Sequence, residues 1–320
     1  MSAGPILLTG GAGLVGPYVA DRLATRFPDR SIVRTVRYAG DLRAAPDVVA
    51  VDLADAADAD RLIRDVKPSL VVHLAGASSV ALARTAPSAV WHNNRDAAWC
   101  LARAIGRHAP EAVVLFSSTA EVYGASLNLG PASEDTPPLP RGPYPNSKRA
   151  AEVIFARDLP ESSRLIVARP FNHTGPGQTE TFVVPAFAAQ LARIEKGLIP
   201  PRMVVGNLET ERDFLDVRDV ADAYVRLLAA AERLPRRLVV NIARGEAVRI
   251  RDILDRLVAL SGLDVTVSVD PARVRPNEVP RATARTDRLT SLIDWHPSHS
   301  LDETLQSVLD DQRARIVNTS

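Results

Sequence analysis

The chain has 320 residues, 46% of them hydrophobic, and a formal net charge of +1 at neutral pH, which is enough apolar material for one large core or two smaller ones. Near-neutral charge gives no reason to expect nucleic acid or an anionic membrane as a partner. A lone cysteine, Cys100, excludes an internal disulfide framework and a cysteine-built metal site, and no apolar run approaches the ~20 residues of a membrane-spanning helix.

The first ten residues, MSAGPILLTG, lack the basic region and long apolar stretch of a signal peptide, so a cytoplasmic protein is the expectation. Short β-rich runs then recur at 5–10, 31–37, 47–53, 70–76, 112–118 and 164–170. Their unbroken Val/Ile/Leu character is that of strands buried on both faces, as in a parallel sheet. Helical patterns fall between them, around 14–27, 57–66, 87–107 and 146–158. Cys100 lies in one of these helices and reads as a small buried hydrophobe. Regular strand–helix alternation predicts an α/β fold with a Rossmann-type doubly wound parallel sheet. After Pro170 the texture changes to a polar, glycine-rich loop, FNHTGPGQTE. A helix near 182–196, a strand at MVVG, a helical run from Asp216 and a strand at 238–243 follow, then two or three helices around the Pro-rich DPARVRPNEVP. The expected organisation is a dinucleotide-binding domain over 1–170 with a returning segment at about 214–243. A smaller, discontinuous substrate-binding lobe takes 171–213 and 244–320.

Directly after the first run, LLTGGAGLVGPYVA places Gly10, Gly13 and Gly16 before an apolar helix. Glycines there let the backbone turn tightly and approach a pyrophosphate, while the helix start offers N–H groups and a positive dipole end. Gly10, Gly13, Leu14, Val15 and Gly16 are therefore candidate cofactor contacts. An acid at the end of the second strand would suit the ribose of NAD, whereas an arginine suits the extra phosphate of NADP. Arg37 stands there, with no acid until Asp41, which favours NADP(H) and leaves NAD(H) possible. Asp52 and Leu53 close the third strand and could flank the adenine; Asp52 could equally cap the next segment.

The stretch GPYPNSKRAAE sets Tyr144 and Lys148 four residues apart where a helix begins. Pro145 suits the first helical position, and the spacing puts both side chains on a similar side. A phenol near a helix N-terminus and an ammonium has its phenolate favoured. Tyr144 would then titrate below its ordinary value of about 10 and exchange a proton with a carbonyl oxygen. FSSTAEVYG ends the preceding strand where an α/β sheet opens its ligand crevice, and offers the hydroxyls of Ser117, Ser118 and Thr119.

Together the glycine triplet, the HLAG segment (73–76), the serine–threonine cluster before VYG and the Y-x-x-x-K pair resemble the extended short-chain dehydrogenase/reductase family, also called the NAD-dependent epimerase/dehydratase family. The resemblance covers nearly the whole chain. It implies Thr119, Tyr144 and Lys148 as the catalytic triad, with Lys148 also holding the nicotinamide ribose, and Leu74, Ala75 and Gly76 at the cofactor. Asn94 lines up with a helix asparagine near the family's active site, although the flanking NNRDAAWC departs from the usual pattern.

Three further segments, RPFNHTGPGQ, VVGNLETERDFLDVRDVADAY and RPNEVP, are similar to those of family members that reduce GDP-4-keto-6-deoxy-mannose. This likeness implies an NAD(P)H-dependent reduction of the C4 keto group of a GDP-4-dehydro-6-deoxy-hexose. It also implies a sugar-nucleotide pocket formed by Ser118, Thr119, Glu121, Asn172, Arg212, Arg275 and Glu278. Two basic side chains suit two phosphates, and a carboxylate can accept from guanine N–H groups. Glu121, two residues after Thr119, also resembles the base of sugar-nucleotide 4,6-dehydratases, so GDP-mannose 4,6-dehydration and 4-epimerisation stay as alternatives, with a non-catalytic NADP-binding regulator ranked below them. The six histidines show no metal spacing, and His173 reads as loop packing. The helices at 87–107 and 146–158 resemble those that pair in family dimers, so a homodimer is expected.

Overall fold

A computed structural model describes residues 4–37, 47–77, 85–274 and 278–317. Its centre is a seven-stranded sheet. In chain order the strands are β1 (Ile6–Thr9), β2 (Ile32–Val36), β3 (Val48–Ala50), β4 (Leu70–His73), β5 (Val113–Ser117), β6 (Arg164–Pro170) and, much later, β10 (Arg237–Ile242). They lie in the spatial order β10-β6-β5-β4-β1-β2-β3 and all neighbours run parallel. The order reverses between β1 and β4, so the ligand crevice of a doubly wound sheet opens at their carboxyl ends.

Both faces of the sheet are covered, which is why β1 and β4 are buried residue by residue. On one face α1 (Val15–Arg26) packs beside α7 (Val217–Ala229), and their Val19, Leu23, Val220 and Tyr224 meet Ile6, Leu8 and Val72 of the sheet. On the other, α2 (Ala56–Val66), α4 (Ala97–His108) and α5 (Pro143–Asp158) bury Leu62, Leu101, Ile105 and Phe155 against Leu7, Val71 and Val114. Cys100 is buried in this second core. No helix among the described residues is long and apolar enough to cross a membrane.

The smaller lobe gathers α6 (Val183–Glu195), α8 (Ile250–Ser261) and α10 (Leu301–Val317) around Phe187, Leu191, Leu254 and Leu305, beside the parallel pair β8 (Arg202–Val205) and β12 (Thr266–Val269). Four further short strands, β7 (Asn172–Thr174), β9 (Glu211–Asp216), β11 (Ala247–Arg249) and β13 (Arg281–Ala282), form a small sheet joining lobe to crevice. These were not expected from the sequence, because two to six residues with polar faces, such as ERDFLD, carry no apolar run to mark them.

Three further differences matter for the site. Helix α5 starts at Pro143 instead of near 146, with Pro143 and not Pro145 in the first position. Tyr144 therefore lies inside the first turn. The helical region expected over 87–107 is α3 (Pro87–Trp91) and α4 separated by a π-helical turn, His92–Asp96, and such turns recur at functional positions. Helix α9 (Asp287–Ile293) with Trp295 packs Leu289 and Ile293 into the core of the main sheet beside Val240 and Tyr224, outside the lobe expected to take all of 244–320.

Candidate active site

The glycine turn has a physical reason at two positions. Gly10 has φ +72°, and a Cβ there would lie 2.7 Å from the Ala75 backbone nitrogen; a Cβ on Gly16 would lie 2.5 Å from the Gly11 carbonyl oxygen. Only glycine allows both approaches. Gly13 is exposed at the tip, and no side chain caps the start of α1, where Leu14 and Val15 are half-buried. An uncapped helix N-terminus behind an open glycine turn fits an anion such as a dinucleotide diphosphate. Leu74 and Ala75 continue β4 beside this turn, and Ala75 N–H donates to Thr9 Oγ1 at 3.2 Å.

At the end of β2, Arg37 donates to Asn93 Oδ1 at 2.5 Å and pairs with Asp52 at 3.2 Å. Asp52 also accepts the Ala54 N–H at 3.1 Å, and Arg37 with that backbone bond holds its carboxyl below the usual range despite partial burial. Leu53 is buried in the core beside α2 and α4.

Tyr144, Lys148 and Thr119 come together at the end of β5, with Tyr144 7% and Lys148 5% exposed. The expectation that the Tyr144 phenol titrates low is not met: burial pushes it up to about 12, with the hydrogen-bonded Thr119 hydroxyl pulling down and Glu121 pushing up. The ammonium of Lys148 does not offset this. It donates to the Ser117 carbonyl oxygen at 2.8 Å and lies 4.9 Å from the Phe116 ring centroid. Burial brings Lys148 itself down to about 8, with Glu152 opposing. Gly76 leaves the room this needs, since a Cβ there would be 2.6 Å from Asn94 Oδ1 and 3.4 Å from Lys148 Nζ.

Asn94 sits in the π-helical turn and is buried. It accepts the Ala77 N–H at 2.9 Å and donates to the Ala77 carbonyl at 3.2 Å and to Ser147 Oγ at 2.9 Å; Ser147 in turn donates to the Tyr144 carbonyl at 2.7 Å. One side chain thus joins the end of β4 to the first turn of α5.

On the substrate side, Thr119 caps a short 3-10 turn, accepting the Glu121 N–H at 3.2 Å, while the Glu121 side chain is exposed. Asn172 is exposed on β7, opposite Phe214 of β9. Ser118, expected at the substrate, instead donates to Glu152 Oε1 at 2.6 Å and is buried. Arg212 and Glu278, expected to serve phosphate and base separately, meet each other at 3.1 Å, and Asn207 donates to the same carboxylate at 3.3 Å. Arg275 lies outside the described residues. His173, expected in a loop, lies on β7 opposite Leu215, with Nδ1 3.1 Å from the Phe171 carbonyl.

Sequence reasoning missed Glu152, Arg169 and Tyr224. Glu152 binds Arg169 through Nε at 2.9 Å and Nη2 at 2.8 Å, and Tyr224 OH meets Ser117 Oγ at 2.9 Å. A signal existed for Glu152: it extends the four-residue spacing of Tyr144 and Lys148 by one step.

An anion cradle at β1 and, two strands away, a buried phenol with an ammonium place this chain among the extended short-chain dehydrogenases/reductases. Within that class it belongs to the NAD dependent epimerase/dehydratase family, whose pattern it matches over residues 6–243. The GDP-6-deoxy-D-mannose reductase of Pseudomonas aeruginosa is 35% identical over 251 residues, 78% of this chain and 82% of the relative. The UDP-glucose 4-epimerase of Azospirillum brasilense is 32% identical across 97% of this chain and 92% of its own. Among solved structures, RMD from Pseudomonas aeruginosa complexed with NADPH superposes with a TM-score of 0.83 at 29% identity, covering 97% of this chain and 99% of that one.

Proposed function

We propose that the protein reduces the C4 keto group of a GDP-4-dehydro-6-deoxy-hexose to a GDP-6-deoxy-hexose, using NADPH. The observation that carries this reading is the likeness to a GDP-6-deoxy-D-mannose reductase, 35% identical over 251 residues, beside a buried Tyr144 hydrogen-bonded to Thr119. Ketone reduction needs a proton donor beside the carbonyl oxygen, and a buried, protonated Tyr144 suits that part. The reductase relative from Pseudomonas aeruginosa supports the substrate class.

In this reading the glycine turn and the N-terminus of α1 hold the diphosphate of the cofactor. Arg37 meets its 2′-phosphate after exchanging part of its pairing with Asp52 and Asn93. The bound cofactor supplies the hydride. Tyr144 gives its proton to the C4 oxygen and Thr119 hydrogen-bonds the same oxygen. Lys148 holds the nicotinamide ribose and supplies positive charge as the phenolate forms. Asn172, Arg212 and Glu278 serve the nucleotide sugar, Glu278 accepting from guanine and Arg212 meeting a phosphate after exchanging their mutual pairing at 3.1 Å. Trp99 on α4 and Val153 on α5 are large exposed apolar residues, which supports pairing of two copies through these helices.

The 4-epimerase reading is the second one, because the Azospirillum relative matches almost the whole chain. One assay separates the readings. The purified protein, given GDP-4-keto-6-deoxy-mannose, should oxidise one NADPH per sugar, and it should leave UDP-glucose and GDP-mannose unchanged. Interconversion of UDP-glucose and UDP-galactose without net NADPH use would overturn the reductase assignment.

A further inference from the structure

We infer that Glu152 is a positioning residue for the Thr119, Tyr144 and Lys148 site, its buried carboxylate locking the helix that carries the tyrosine and lysine onto the ends of β5 and β6. The inference rests on the reading that those three residues carry the reaction. Its geometric basis is a pairing of two short segments. Ser117, Ser118 and Thr119 are consecutive at the end of β5. Each is hydrogen-bonded to a residue of α5: the Ser117 carbonyl accepts from Lys148 at 2.8 Å, the Ser118 hydroxyl donates to Glu152 at 2.6 Å, and the Thr119 hydroxyl meets Tyr144. The three helix residues are spaced four apart and are all buried, so they form one stripe along α5 facing the strand end.

Within that stripe it is Glu152 that hydrogen-bonds to a second strand. Its carboxylate takes both forks of Arg169 on β6 and also Arg149 of its own helix, at 2.7 Å. Arg169 in turn lies over the Tyr123 ring, 4.9 Å from its centroid, and Tyr123 OH donates to Asn241 Oδ1 at 2.6 Å on β10. A planar fork bound at two points fixes direction as well as distance. Glu152 and Arg169 are 3% and 2% exposed, and a buried ion pair stabilises a fold little better than apolar side chains of the same volume. What the pair adds is a fixed setting of α5 against β5 and β6, which apolar packing would leave free to slide. Misplacement of a reacting group by a fraction of its own size is enough to slow catalysis strongly.

The same carboxylate faces Lys148. The charged and titratable groups around that ammonium are Glu152 on its own helix and His73 on β4, and those around Glu152 are Arg149 on its own helix and Arg169 on β6. His73 is held neutral, first by burial and then by Lys148. Glu152 is therefore the group that opposes deprotonation of Lys148.

The chain makes this testable without any substrate, because it has three lysines, Lys67, Lys148 and Lys196, and the other two are exposed. Carbon-13 NMR of lysine-labelled protein follows all three titrations. In Glu152→Gln, and in Glu152→Gln/Arg169→Gln in which no unpaired charge is left buried, the Lys148 midpoint should fall below the wild-type value while the exposed two stay put. Glu152→Asp keeps the charge and should return the midpoint toward wild type. In turnover, kcat should fall on the order of tenfold to 10²-fold while KM changes by no more than about threefold. A folded double variant with the wild-type Lys148 midpoint and wild-type kcat would overturn the inference. Should neither glutamine variant fold, Ser118→Ala is read instead: it cuts one uncharged link, and a severalfold loss of kcat supports the inference while wild-type kcat refutes it. A wild type that reduces no keto sugar fails the functional reading alone, since the lysine titration still decides the role of Glu152.

Discussion

Lys148 gives its ammonium to the backbone carbonyl of Ser117, 2.8 Å away, so that ammonium is anchored to the end of β5. The acidity of Tyr144 is set by burial first and by Thr119 second.

Removing the Tyr144 proton is the most direct test. Tyr144→Phe keeps the ring and its packing and deletes the donor, so kcat for keto-sugar reduction should drop by about 10²-fold or more, the usual span for general acid–base catalysis. NADPH affinity, measured by fluorescence titration, should stay close to wild type. Near-normal turnover would remove Tyr144 from the role of acid.

Lys148 gives stability a pH dependence of known sign. Its pKa drops from 10.5 in the unfolded chain to about 8 in the fold, so between those values the unfolded state binds more protons and stability rises with pH. The cost of burying the ammonium is present in full below about pH 8 and is gone above about 10.5. Lys148→Met should therefore be more stable than wild type by up to roughly 3 kcal/mol at pH 7, and the gain should shrink in urea unfolding at pH 10. A gain equal at both values would show that the ammonium is not the cause.

In the proposed function Arg37 carries the cofactor preference. If it reaches the 2′-phosphate, Arg37→Ala should weaken NADPH by about 1.5–3 kcal/mol, the scale of hydrogen bonds to charged groups, and leave NADH nearly untouched. Calorimetric titration with each cofactor checks this. Equal losses, or a wild type that prefers NADH, would mean that the pairing of Arg37 with Asp52 and Asn93 is structural only.

Glu121 separates reduction from dehydration. Its exposed side chain lies close enough to Tyr144 to raise the phenol's pKa. Reduction removes no C5 proton, so Glu121→Gln should retain substantial NADPH-dependent turnover of GDP-4-keto-6-deoxy-mannose. Conversion of GDP-mannose to a 4-keto product without added NADPH, lost in Glu121→Gln, would promote the dehydratase.

The sequence by itself determined the doubly wound sheet, the glycine turn and the tyrosine–lysine helix. Local physics decides each of them: strands buried on both faces are mostly apolar, a tight turn whose backbone comes this close to its neighbour needs glycine, and side chains four apart must share a helix face. Only the tertiary structure decided who meets whom across long sequence separations. Ser118 reads as one more exposed hydroxyl until β5 and α5 pack and turn it onto Glu152, 34 positions away. Arg212 and Glu278, 66 positions apart, read as separate ligand contacts until β9 and the segment before β13 bring them together. The sign of the Tyr144 shift belongs to the same category. Sequence shows the nearby helix start and lysine, which favour the phenolate. Burial, which favours the phenol and wins here, depends on what the rest of the chain stacks over the site.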